Sequence, residues 1–129
     1  MKDPVCAELV ARCFDARTVA HFAHLRTRSY AEHVALGDFY DAIASAADAF
    51  AECHMGVEGK FDSFPAIKPD PSVSMLEYLP SMHDWVTKNR TACADGSTEL
   101  ANLIDGILET SDRTFYKLKV LEEEDCHAR

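Results

Sequence analysis

The sequence predicts an all-α fold: a bundle of four helices with one long crossover between helices two and three. Three observations carry that expectation. Glycine and proline are scarce, five of each in 129 residues, and most of the prolines fall in one short region. Apolar residues recur at spacings of three and four along four separate stretches, the period of a helix that buries one face. The breaks between those stretches run short, long and short, the order of a bundle with a single crossover. The chain length fits one domain, residues 1–129, able to bury a core without staples.

Helix one is expected from about residue 4 to 26. Asp3-Pro4 suits a helix start, with Asp as cap and Pro in the first turn. Cys6, Leu9, Val10, Cys13, Phe14 and Ala20 then keep helical spacing. "RTRS" is a short polar break, and Ser29 followed by Glu32 has the form of a capping box. Helix two is expected from about 30 to 55, with Leu36, Phe39, Tyr40, Ile43, Ala47, Phe50 and Ala51 as its stripe. "GVEGKFDSFPAIKPDPSVS" has no sustained period and reads as a long connection, packed by Phe61, Phe64 and Ile67.

Ser74 and Glu77 suggest a second capping box before helix three, which Pro80 restarts or kinks and which runs through Met82, Trp85 and Val86 to about Ala94. "ADGST" ends that helix and caps the next. The last stretch repeats Leu100, Leu103, Ile104, Ile107, Leu108, Phe115, Leu118 and Leu121, the clearest amphipathic pattern in the chain.

Composition narrows the function classes. The formal net charge is −9, and "HLRTRS" is the densest basic cluster. Such a balance argues against nucleic-acid binding, which relies on Lys and Arg neutralising phosphates. No run reaches the roughly 20 apolar residues of a membrane span, and "MKDPVCAEL" does not read as a secretory signal. The expected compartment is the cytoplasm. Cys6, Cys13, Cys53, Cys93 and Cys126 form no CxxC pair and are expected as reduced, mostly buried thiols. Cys126 and His127 are adjacent, but two neighbouring donors do not make a metal site.

Helix two carries His33 near its start and Asp48 and Glu52 near its end. The carboxylates, four residues apart, project from one face. His21 and His33 flank the break between helices one and two and can face one groove. Imidazole with carboxylate suits iron, zinc or manganese. His33 and Asp48, however, are separated by about 22 Å along a helix rising 1.5 Å per residue. If all four residues form one site, its halves come from two subunits, most simply across a two-fold axis with helix two antiparallel to its copy. Taken singly, a lone histidine is more often a core residue, and an acidic pair more often a solvated face. His54 and His83 have no partners at recognisable spacing and read as structural; Trp85 reads as packing.

These residues resemble the Dps proteins, the mini-ferritins. That family carries a His at the end of its first helix, a second His twelve residues later, an Asp fifteen further on and a Glu four beyond. The matching positions are His21, His33, Asp48 and Glu52. Tyr40 and "DAFAE" also match, and the last helix resembles the family's closing helix. The resemblance covers helices one, two and four and fades across residues 56–95. "HLRTRSYAEHVALGDFYD" with "TFYKLKVL" resembles, more narrowly, uncharacterised Dps-like proteins of tailed bacteriophages.

The resemblance implies a ferritin-like bundle and an inter-subunit ferroxidase centre. It implies iron as the metal, a two-fold dimer that can build a dodecamer, and a host cytoplasm as its setting. His21 and His33 would be ligands opposite Asp48 and Glu52, with Glu52 able to bridge two irons. Three departures stand out. The Trp, Asn and glycine-containing turn that usually follow the first His are missing. His24 competes with His21 for the ligand position, and the lysine-rich tail is absent. Rival expectations are a non-enzymatic phage accessory protein that binds a host protein, with vestigial ligands, and a structural or small-molecule-binding oligomer.

Overall fold

A computed structural model describes residues 2–128, with side chains from residue 4 to 124. The described residues form four helices joined by connections: α1 (Lys2–Arg26), α2 (Tyr30–Glu58), α3 (Met75–Ala94) and α4 (Thr98–Ala128). No strand occurs among the described residues. Asp3 lies inside α1 rather than at its cap, because the helix already begins at Lys2. The side chains of Asp3, Cys126 and His127 lie outside the described residues.

Each helix turns one apolar stripe inward. α1 buries Cys6, Leu9, Val10, Cys13, Ala16, Val19, Ala20 and Ala23; α2 buries Leu36, Phe39, Ile43, Ala47, Phe50 and His54. α3 contributes Leu79, Met82, Val86 and Cys93, and α4 contributes Leu100, Ile104, Ile107 and Leu118. These steps of three and four place one side chain per turn on the same face. Burial of each large side chain, such as Phe39 or Phe50, contributes about 1.5–3 kcal/mol. Ser111 and Thr114 also lie on the inner face of α4.

α1 packs on α2 and α3, and α4 packs on the same two helices; among the described residues α1 does not meet α4, nor α2 meet α3. The diagonal pairs are therefore α1/α4 and α2/α3. Cys6 Sγ near the start of α1 lies 3.3 Å from the carbonyl of Cys93 at the end of α3, so these two run antiparallel. Residues 59–74 then join diagonal helices. Pro65–Lys68 lie beside Glu8, Arg12 and Asp15, and Val73 lies beside Arg26, whose Nη2 donates to the Val73 carbonyl at 3.0 Å. The connection thus travels along α1 from its N-terminal to its C-terminal end, which is the expected long crossover.

The turn chemistry agrees with the sequence in part. Ser29 caps α2, its hydroxyl accepting from the Glu32 N–H at 3.2 Å, but the Ser29 N–H donates to Thr27 Oγ1. The capping box is therefore one-sided. At α3 the expected box is absent: the backbone carbonyl of Ser74, not its hydroxyl, accepts from Glu77 and Tyr78. α2 runs three residues past its expected end because only Gly59 of "GVEG" takes a positive φ (88°), closing the helix with its N–H on the Met55 carbonyl. Ser97 caps α4 by accepting from the Leu100 N–H.

The crossover is less packed than expected. Phe61 stacks on the buried ring of His54 with centroids 4.5 Å apart, but Phe64 and Ile67 are exposed. A turn in which Ser72 donates twice to Asp70 holds the last third, and those bonds keep the Asp70 carboxyl below its ordinary range. His83, read as structural, has its Nε2 3.3 Å from Asp112 Oδ1 across the α3–α4 seam. Arg12 places its guanidinium 4.3 Å from the Trp85 ring, tying α1 to α3. Tyr78 donates a hydrogen bond to Asp15 across the same pair of helices.

Candidate metal-binding cluster at the α1–α2 hairpin

A three-residue turn, 27–29, brings the end of α1 back over the start of α2. His24 lies on the last turn of α1 and His33 on the first turn of α2, so their side chains meet across the hairpin. The two imidazoles stack, with centroids 3.5 Å apart and planes 20° apart. His24 Nδ1 is 2.6 Å from the His33 carbonyl oxygen, and His33 Nδ1 is 2.8 Å from the His24 carbonyl oxygen. A carbonyl oxygen only accepts, so each Nδ1 carries the hydrogen and donates. In the neutral ring that leaves the lone pair on Nε2 of both residues.

The clasp has a structural basis as well. Carbonyls in the last turn of a helix lack an intrahelical partner, and the His24 carbonyl belongs to that group. His33 supplies its donor, as basic side chains near helix C-termini commonly do.

His21, one turn earlier on α1, stacks on Tyr40 of α2 with centroids 4.3 Å apart. Its ring also meets His24 edge-on at 5.7 Å, and Tyr40 meets His24 edge-on at 5.3 Å. Tyr30 flanks His33 at 5.8 Å. His21 and Tyr30 are exposed, whereas His24, His33 and Tyr40 are half-buried. Phe22, Leu25 (69%) and Val34, each next to one of these histidines in sequence, are exposed apolar side chains, as is Tyr30 (80%).

Of the residues expected at the site, the structure brings together His21, His24 and His33. Asp48 and Glu52 are exposed four and five turns further along α2, about 22 Å and about 28 Å from His33 by helical rise. Among the described residues no group of three or more His, Cys, Asp or Glu is placed to hold a metal ion within one chain. Asp48 and Glu52 therefore do not share one ion with His33 inside a single chain. Gly37, one turn beyond His33, went unread in the sequence. An added Cβ there would lie 3.2 Å from His24 Cε1 and 3.4 Å from His24 Nδ1. Its signal was a glycine inside an alanine-rich helix, where glycine has no helical advantage.

A second polar constellation lies under the crossover. Burial first, and then the hydrogen bond to Asp15, raises the Tyr78 hydroxyl far above its ordinary range. Neighbouring Cys13 is pushed up to about 12 by burial. Both groups stay neutral, and nothing about them points to a reactive nucleophile.

Residues 24–118 match the profile of a family of unknown function (DUF5856). No curated protein and no solved structure matches the chain. No helix among the described residues is long and apolar enough to cross a membrane.

Proposed function

For this chain, a member of the DUF5856 family, we propose divalent-metal binding at a site shared between two subunits, with iron as the metal handled. The bundle is then a ferritin-like one of the Dps kind. His33 and His24 or His21 of one copy supply imidazole nitrogen, and Asp48 and Glu52 of the other supply carboxylate oxygen. That mixed set suits iron, with zinc or manganese as competitors.

The observation that carries this reading is the pair of Nδ1–H···O=C bonds between His24 and His33. Metal-ligating histidines characteristically donate their second ring N–H to a carbonyl or carboxylate, which fixes the tautomer and aims the other nitrogen. Both rings here are held in that state by the backbone carbonyls of the hairpin itself. If the ion is Fe(II), it would be the substrate, each iron giving one electron to dioxygen or peroxide and becoming Fe(III). The chain's own part is to orient Nε2, to bring carboxylate charge from the partner copy and to surround the pair with the Tyr40 and Tyr30 rings. Ferric storage would further require closure into a hollow dodecamer.

The charge layout of α2 supports an antiparallel pairing. Its first turns lie beside Arg26, Arg28 and the histidines, with Glu32 as the acid of that end, and its outer face further on carries exposed Asp38, Asp41, Asp48 and Glu52. Anaerobic Fe(II) titration of the wild type, His33→Ala and Asp48→Ala tests the reading. Stoichiometric binding lost in both variants is expected; equal binding in all three would end the proposal. A second reading, a bundle that binds another protein and retains the ligand residues as vestiges, is favoured by the exposed Phe22, Leu25, Tyr30 and Val34. It predicts no Fe(II) uptake by the wild type.

A further inference from the structure

We propose that Gly37 is the positioning residue of the histidine cluster: its missing side chain is the seat in which the His24 ring lies against His33. Glycine is among the least favourable residues in a helix interior, and Gly37 sits well inside α2. Its backbone does not demand glycine, because positive φ occurs only at Gly59, Asp95 and Gly96 among the described residues. Space does. Of the three helical glycines, Gly56 and Gly106 have nothing within 4 Å of an added Cβ, whereas Gly37 faces the edge of the His24 ring at 3.2 and 3.4 Å.

The ring has little room to retreat. The His33 ring lies 3.5 Å away on one face, and Tyr40 and His21 close in edge-on. Its Nδ1 is anchored on the His33 carbonyl. A side chain at residue 37 must therefore tilt the ring off His33 or lengthen that hydrogen bond. Either change releases the constraint that puts the hydrogen on Nδ1 and turns Nε2 outward. The consequence for metal affinity rests on the metal-binding reading; the placement of the ring does not.

The test is histidine-resolved ¹⁵N NMR of the metal-free protein at mildly alkaline pH, on wild type and Gly37→Val. His24 is expected as the Nδ1–H tautomer in the wild type and as a mixture, or the Nε2–H form, in the variant. An unchanged His24 signal in Gly37→Val would overturn the proposal. Should Gly37→Val fail to fold, Gly37→Ala decides by thermal melting in two backgrounds. With His24 present, alanine leaves Tm unchanged or lowers it; with His24→Ala, the same change raises Tm by a few degrees through its better helix propensity. An equal rise in both backgrounds would refute the seat. Fe(II) affinity is expected to fall about tenfold or more in Gly37→Val, the range seen when groups orienting a ligand are lost. A wild type that binds no Fe(II) removes the metal-binding reading while the NMR and melting results still decide the role of Gly37.

Discussion

His24 and His33 hold each other by the backbone: each ring donates its Nδ1–H to the other's carbonyl, at 2.6 and 2.8 Å, while the rings stack. The arrangement joins two helix ends through side chains that sit nine residues apart. It is a fastening for the hairpin and a means of presenting two Nε2 atoms.

The fastening has a measurable energy. Each half-buried hydrogen bond contributes about 0.5–1.5 kcal/mol, so His24→Ala and His33→Ala should each lower stability by about 1–2 kcal/mol once the shared stacking is included. Because that stacking is lost only once, the double variant should cost less than the sum of the singles. Urea denaturation of the four proteins reads the coupling directly, and strict additivity would show that the rings do not interact.

Helix starts should respond unequally to the same substitution. Ser29→Ala removes a hydroxyl that accepts from Glu32 N–H and should cost about 1 kcal/mol. Ser74→Ala removes a hydroxyl that makes no cap bond, so its effect should stay within roughly 0.5 kcal/mol. Equal losses in chemical denaturation would mean that the two caps had been misjudged.

Tyr78→Phe should be costly for a residue far from any proposed site. It strips a partly buried carboxylate, Asp15, of its donor, and leaving such a group unsatisfied costs about 1–3 kcal/mol. Asp15→Asn with Tyr78 intact should lose less, since the amide oxygen still accepts. Melting temperatures of the two variants give the order.

Alkaline pH should weaken the fold at defined points. Burial raises the Cys13 thiol from its ordinary 9.0 to about 12, and the Tyr78 hydroxyl rises from 10.0. In both cases the unfolded chain releases the proton first. Stability is therefore fully present below pH 9.0 and falls as pH climbs past that value, the Cys13 contribution levelling off near 12. The slope is about 1.4 kcal/mol per pH unit for each group. Cys13→Ala should flatten the decline that begins near pH 9, and an unaltered profile would remove Cys13 as its source.

Much of this architecture was legible in the chain because it depends on local periodicity. The stripes from Leu36 to Phe50 and from Leu100 to Leu118 specify helices without reference to anything distant, and Ser29 marks its helix start by the same local rule. The long crossover was legible from its prolines. What was not legible depends on distance in sequence. Tyr78 and Asp15 pair across 63 residues, and no spacing rule links them. Phe64 and Ile67 read as packing residues, yet the path of the crossover along α1 leaves them on the outside. At the site, His21 and His33 stood out by their intervals, and His24 by its rivalry with His21. The role of Gly37 emerged only once α1 was folded back upon α2, because its meaning is the space that it leaves for His24.

A site assembled from two chains should be restored by mixing two subunits that each lack a different half of it. His33→Ala and Asp48→Ala are each expected to bind no Fe(II) at the site. Co-assembled from equal amounts, they should recover about a quarter of the wild-type sites. Half of the two-fold dimers are then mixed, and each mixed dimer keeps one site with His33 from one chain and Asp48 from the other. Recovered binding at that level, measured by anaerobic titration of the mixture, is the predicted result. A mixture that binds no more Fe(II) than either variant alone would contradict the shared site.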